Sequence, residues 1–266
     1  MIKTISLKNI TQSYFEKVIL DGVSFKCTEQ EKICIVGENG TGKSTILKII
    51  AGTNEPTSGN VEKNAHIRCF YVAQEFDQAD MPLTIEGYIS KHAGASLFKK
   101  VFTIGSTIGF DLEKHKEKEC GSLSGGQQKV LALSVGLASQ PDFLLLDEPE
   151  NHLDIVSRME LITLLQNYQK GILFVSHDRM MIDSIATKVA EVTGKKIHIS
   201  EGGYEGYINA RLSRIAGMQR EYDAERKRIK EIKESLHILQ MKAFRGKNQS
   251  LYHARKEEME ALKEKH

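Results

Sequence analysis

Apolar residues follow three different spacings along the chain. Near the N-terminus they alternate with polar ones, as in Ile5 and Leu7 and again in Val23 and Phe25, with Asp21-Gly22 as a turn signal between. Residues 1–35 therefore read as strands. Ile33-Cys34-Ile35-Val36 then runs unbroken, as a strand buried on both faces does. Phe143-Leu144-Leu145-Leu146 and Ile172-Leu173-Phe174-Val175 repeat that pattern. Helical spacing fills 45–50, 126–138 and 155–169. Strands alternating with helices predict an α/β fold with a mainly parallel sheet. Residues 79–122 break the rhythm; they are mixed, rich in Gly and Lys, and predict a small helical insert.

The third spacing belongs to the tail. Ile215, Met218, Tyr222, Ile229, Ile232, Leu236, Leu239 and Ala243 recur at intervals of three and four, with one charged gap at Glu225. That is a heptad seam. At about 1.5 Å per residue, 211–243 predicts a rod of roughly 50 Å. Gly246-Lys247-Asn248 breaks the pattern, and 250–266 reads as a second, shorter helical stretch. The expectation is a basic helical hairpin, 211–266, projecting from a body that spans 1–210.

Charge sharpens that division. The whole chain carries +2, from 37 basic and 35 acidic residues. Residues 211–266 hold 15 Lys and Arg against 9 Asp and Glu, and the rest 22 against 26, so a tail of +6 joins a body of −4. A basic tail suits an anionic partner; a solvated charged helix is the plain alternative. No apolar run approaches the 18 residues of a membrane span, and the N-terminus shows no signal-peptide core, which predicts a cytoplasmic protein. Cys27, Cys34, Cys69 and Cys120 form no C-x-x-C pair and read as reduced, buried thiols.

The strand at 33–36 runs into Gly37-Glu38-Asn39-Gly40-Thr41-Gly42-Lys43-Ser44-Thr45, which fits G-x-x-x-x-G-K-[ST] between a strand and a helix. Glycines let backbone N–H groups turn inward around a polyphosphate, and the helix N-terminus adds positive potential. Lys43 suits the β- and γ-phosphates, and the Ser44 hydroxyl suits Mg²⁺. Leu144-Leu145-Leu146-Asp147-Glu148 ends a buried strand in two acids. Asp147 is the candidate Mg²⁺ ligand and Glu148 the candidate general base for attack of water on the γ-phosphate. The implied cofactors are ATP and Mg²⁺. Two adjacent acids also suit a solvated turn, and the phosphate loop about 100 residues upstream favours the first reading.

Leu123-Ser124-Gly125-Gly126-Gln127-Gln128 opens a helix, with Ser124 a good N-cap. Here the chain resembles the ATP-binding cassettes, whose signature motif has this form and place. Other motifs follow in that family's order. Gln74 resembles the Q-loop glutamine, implying contact with metal and attacking water. Asn151-His152-Leu153-Asp154 resembles the D-loop, and His177 the switch histidine. Tyr14 resembles the aromatic that stacks on adenine, with Phe15 as the alternative. Glu148-Pro149-Glu150-Asn151-His152-Leu153-Asp154, Val175-Ser176-His177-Asp178-Arg179 and Gly203-Tyr204-Glu205-Gly206-Tyr207 are similar to segments of the ABC-F branch.

The resemblance implies a P-loop NTPase cassette with a small helical subdomain (79–122) and an antiparallel β region, followed by an α-helical hairpin (coiled coil). It implies ATP hydrolysis and, for ABC-F, work on the ribosome during translation, including antibiotic protection. In such cassettes the signature of one, here Ser124, Gly125 and Gly126, completes the ATP site of another, so a second cassette is an expected partner. Lys242, Arg245, Lys247, Arg255 and Lys256, with Phe244, Tyr252 and His253 among them and no acid, suit RNA phosphates and bases over 242–256. Glu150 stands where the ABC-F motif has Thr, which puts the hydrolysis rate in question. A single cassette is the other departure; the chain reads as the first half of a tandem protein or a natural short form. The alternative function is the nucleotide-binding subunit of a transporter with a separate permease. A cassette acting only as a non-hydrolysing switch is a third reading, opposed by the full set Lys43, Asp147, Glu148 and His177.

Overall fold

The computed structural model describes residues 2–64 and 66–243, together with 254, 256 and 257. The chain divides into two units, Met1–Tyr207 and Ile208–His266. In the first, strands β1 (Thr4–Tyr14), β2 (Lys17–Thr28) and β4 (Ser58–Lys63) form an antiparallel sheet in the order β2-β1-β4. The alternation seen in the sequence becomes its inner face: Ile5, Leu7 and Ile10 on β1 and Leu20, Val23 and Phe25 on β2 are buried.

The second sheet has six strands, in the order β5 (Cys69–Val72), β6 (Phe143–Asp147), β7 (Gly171–Val175), β3 (Lys32–Gly37), β8 (Lys188–Thr193) and β9 (Lys196–Glu201). The first five run parallel, and β9 pairs antiparallel with β8. Every residue of β6 and β7 is buried, which is why those segments read as unbroken apolar runs. Helix α1 (Lys43–Ala51) adds Ile46, Leu47, Ile49 and Ile50 to the main core, which also takes side chains from both sheets.

The insert is helical, as its composition predicts. Helices α2 (Ile85–His92) and α3 (Phe98–Ile108) share a second core with α4 (Gly125–Ser139). Thr84 starts α2 by accepting the Gly87 N–H. Helix α5 (Ile155–Gln166) stops short of the expected 169. Tyr168 leaves the helical path to bury its ring and donates its hydroxyl to the Pro141 carbonyl at 2.8 Å. Helix α6 (Arg179–Ile185) precedes β8. All four cysteines are unpaired, and all but Cys69 are buried.

The tail helix α7 (Tyr204–Ala243) has 40 residues, about 60 Å, and starts seven residues before the expected 211. Asp183 of α6 sets that start, its Oδ1 accepting the Tyr204 N–H at 2.9 Å. Along the seam, Ile215, Met218 and Tyr222 are exposed, whereas Ile232 and Leu236 are buried. Of the second stretch, 250–266, only 254, 256 and 257 are described, and they are helical. The basic tip, 242–256, lies largely outside the described residues, and so does the hairpin's return. Among the described residues no helix is long and apolar enough to cross a membrane.

Candidate functional site

Four parallel strands lie side by side, β5-β6-β7-β3, and their C-terminal ends are level: Val72 pairs with Leu146, Asp147 with Val175, and Val175 with Ile35. The chain therefore delivers Gln74, Asp147-Glu148, Ser176-His177 and the loop after Gly37 to one edge. The carboxyl edge of such a sheet is where ligands of α/β proteins bind.

Gly42 leads into α1 with φ +102, a conformation closed to most side chains, and an added Cβ would meet Ile19 and Leu20 at 2.9 Å. Helix α1 has no acid in its first turn, which leaves its N-terminal field unopposed. Lys43 is buried, and its Nζ donates to the carbonyl oxygens of Gly37 and Glu38, both at 2.9 Å. Burial lowers its pKa, while Glu148 and Asp147 push it back up. Thr41 ties the loop to itself, its hydroxyl donating to the Glu38 carbonyl at 2.9 Å. Ser44 Oγ donates to Asp147 Oδ1 at 3.1 Å, and the Tyr71 hydroxyl donates to Asp147 Oδ2 at 2.9 Å. Burial and the neighbouring Asp147 carboxylate raise the Tyr71 pKa far above the ordinary phenol range, so it remains a donor.

These groups border a cleft of about 630 Å³ lined by Tyr14, Lys17, Ile19, Asn39, Gly40, Gly42, Lys43, Ser44, Thr45, Gln74 and Glu148. Tyr14 is 44% exposed at its rim; Phe15 is fully exposed and lines no part of it. The donor set fits a nucleoside triphosphate: the volume suits one, and an ammonium with a helix N-terminus suits its phosphates. The hard oxygens of Ser44 and Asp147, already in contact, suit Mg²⁺, which would neutralise developing phosphate charge.

Glu148 sits at φ +46, a strained value for a side chain of its size. Its Oε2 accepts from Gln74 Nε2 at 2.9 Å and from Asn151 Nδ2 at 2.5 Å. Lys129, on α4, reaches the same region from behind. Its buried Nζ donates to the carbonyls of Ala73 and Gln74 at 2.8 and 2.9 Å and approaches that of Asp147 at 3.4 Å. Desolvation lowers its pKa to about 8 against the opposing pull of Asp147, Glu150 and Glu148. The sequence does not single out Tyr71 or Lys129, and it marks Asn151 only as part of the D-loop segment. A lone cation inside the uncharged run from Gly125 to Ser139 was the available sign for Lys129.

His177 is exposed and lies one residue beyond the buried Ser176. Ser124, Gly125 and Gly126 do not line the cleft that holds Lys43. Ser124 caps α4 in a capping box with Gln127. Gly126 lets the helix approach the D-loop region, since an added Cβ would lie 2.6 Å from the His152 carbonyl oxygen. Glu150, which stands where the ABC-F motif has Thr, is buried, and its Oε1 accepts the Ser176 hydroxyl.

Sheet order, phosphate loop and strand-end acids together define a P-loop nucleoside-triphosphatase cassette. Residues 20–151 match the ABC transporter family. The zinc import ATP-binding protein ZnuC of Rickettsia bellii is 30% identical over 195 residues, covering 71% of this chain and 83% of that protein. The tylosin resistance ATP-binding protein TlrC of Streptomyces fradiae is 30% identical over 261 residues, covering 82% of this chain and 48% of that protein. The chain thus spans about half the length of TlrC. A solved dimeric cassette, MJ0796 in a post-hydrolysis state with ADP and Pi, superposes with TM-score 0.65 at 24% identity, covering 74% of this chain and 98% of that one. The chain belongs to the ABC family, and its cassette is an ATP hydrolase.

Proposed function

We propose that this chain is a cassette of the ABC-F type, which binds the ribosome in its ATP-bound, sandwiched state and leaves on hydrolysis. The observation that carries the reading is α7. A helix of about 60 Å, with nine basic and six acidic residues, begins within an aromatic-glycine segment of ABC-F form. TlrC, named a tylosin resistance ATP-binding protein, supports an action of this kind.

In this reading Tyr14 stacks on adenine, and Gly37, Asn39, Gly40, Thr41, Gly42, Lys43 and Thr45 cradle the phosphates. Ser44, Asp147 and Gln74 hold Mg²⁺. Glu148 takes the proton of the attacking water, with Gln74 and His177 completing the site. Ser124, Gly125 and Gly126 serve the ATP of a second cassette, and 242–256 meets RNA. Co-sedimentation of the Glu148→Gln variant with ribosomes tests this. Pelleting with ATP but not ADP, weakened by salt, is the expected result; equal pelleting with both nucleotides, or none, counts against it.

ZnuC supports a second reading, a nucleotide-binding subunit for a separate permease, because this chain covers 83% of that relative. Recovery with membranes rather than ribosomes would favour it.

A further inference from the structure

We propose that Glu150 is a positioning residue, the first member of a hydrogen-bonded clamp that fixes the backbone on both sides of His177. The clamp runs Glu150–Ser176–Asp178–Arg158. Glu150 and Ser176 are 7% and 0% exposed, at the start of the loops that leave β6 and β7. Those strands are paired in register at Asp147 and Val175, so the loops emerge side by side.

The direction of each bond follows from the donors present. The Asp178 N–H donates to Ser176 Oγ at 3.0 Å, which leaves the single Ser176 hydroxyl hydrogen for Glu150 Oε1, at 2.5 Å. Asp178 in turn caps α6, its Oδ1 accepting the N–H groups of Met180 and Met181. Asp178 Oδ2 accepts from Arg158 Nη1 of α5 at 2.9 Å. Helix α5 follows directly from the loop that holds Glu150 and is capped by Asp154. The chain of bonds therefore closes into a ring, with Ser176 and Asp178 as the immediate neighbours of His177.

Glu150 needs only to accept a bond. Its Oε2 is buried without a partner among the described residues, and burial raises its pKa above the ordinary carboxyl range. A neutral acid with its proton on Oε2 still offers Oε1 as a carbonyl acceptor. A Thr hydroxyl is two carbons shorter and does not span this gap without movement of the loop. The acid thus links the loop bearing Glu148 to the loop bearing His177, and it sets their spacing.

The proposal rests on the ATPase reading, and two measurements separate them. In steady-state hydrolysis, Glu150→Gln keeps the acceptor and is expected within about twofold of wild-type kcat. Glu150→Ala and Ser176→Ala should each lower kcat by roughly tenfold or more, with KM and equilibrium ATP affinity held. The double variant should be no worse than the lower single, as members of one unit behave. Hydrogen–deuterium exchange of the full chain without nucleotide reads the clamp independently of turnover. The backbone over 176–179 should exchange faster in Glu150→Ala and unchanged in Glu150→Gln. Additive losses, a Glu150→Gln as impaired as Glu150→Ala, or unchanged exchange in Glu150→Ala would each overturn the clamp. A wild-type chain that fails to hydrolyse ATP while the exchange pattern holds would count against the ATPase reading alone.

Discussion

Glu148 shows how much of this site is set by the neighbours that hold its key side chains. Its hydrogen bonds from Gln74 and Asn151 both fall on Oε2, and the residue lines the cleft. Asn151→Ala should leave ATP affinity intact and lower kcat by on the order of tenfold, since a general base works only when aimed; a kcat equal to wild type would remove Asn151 from that task. Lys129 gives a test in pH. Its folded pKa, about 8, lies below the ordinary lysine value of 10.5. The unfolded chain therefore binds more protons between those values. The desolvation cost is fully present below pH 8 and is relieved as pH rises toward 10.5. The unfolding free energy of the wild type, measured against Lys129→Met by denaturant titration at each pH, should climb by up to roughly 3 kcal/mol across that window. A flat difference would mean that the ammonium is better solvated than its three carbonyls imply.

At the scale of elements, the parts legible in the sequence were those with one dominant physical cause. The runs at 33–36, 143–146 and 172–175 are strands because both faces are buried, and the glycines after Val36 mark a loop that no other composition builds. The pattern did not reveal β5, although it carries the chain to Gln74. It has four residues, three of them half-buried, and its place is fixed by pairing with β6. Strand β4 carries mostly exposed residues and exists because β1 offers it an edge. The start of α7 depends on Asp183, twenty-one residues upstream, which no local pattern reports. The heptad seam is legible, but its two halves differ. Ile232 is 3% exposed and Met218 is 64% exposed. Ile232→Ala should therefore destabilise the tail helix by roughly 2 kcal/mol or more, whereas Met218→Ala should be near neutral. Thermal melts followed by circular dichroism at 222 nm would show whether the two differ.

For the whole molecule, the signature helix and the phosphate cleft occupy separate places in one cassette. Ser124 spends its side chain on capping α4, and neither it nor Gly126 lines the cleft of Lys43. In the proposed reading a second cassette supplies the missing side. Glu148→Gln with ATP and Mg²⁺ should elute at twice the monomer mass by light scattering, and with ADP as a monomer. A monomer under both conditions would place the second signature on a different polypeptide. The backbone at Glu148 carries a further consequence. At φ +46, a side chain occupies a conformation that glycine adopts freely. Glu148→Gly should relax that turn and raise the melting temperature by a few degrees while abolishing turnover. If so, the wild-type residue has been kept against a simpler and sturdier alternative. Screens for heat resistance would then recover position 148 among their winners, and every such winner would be inert.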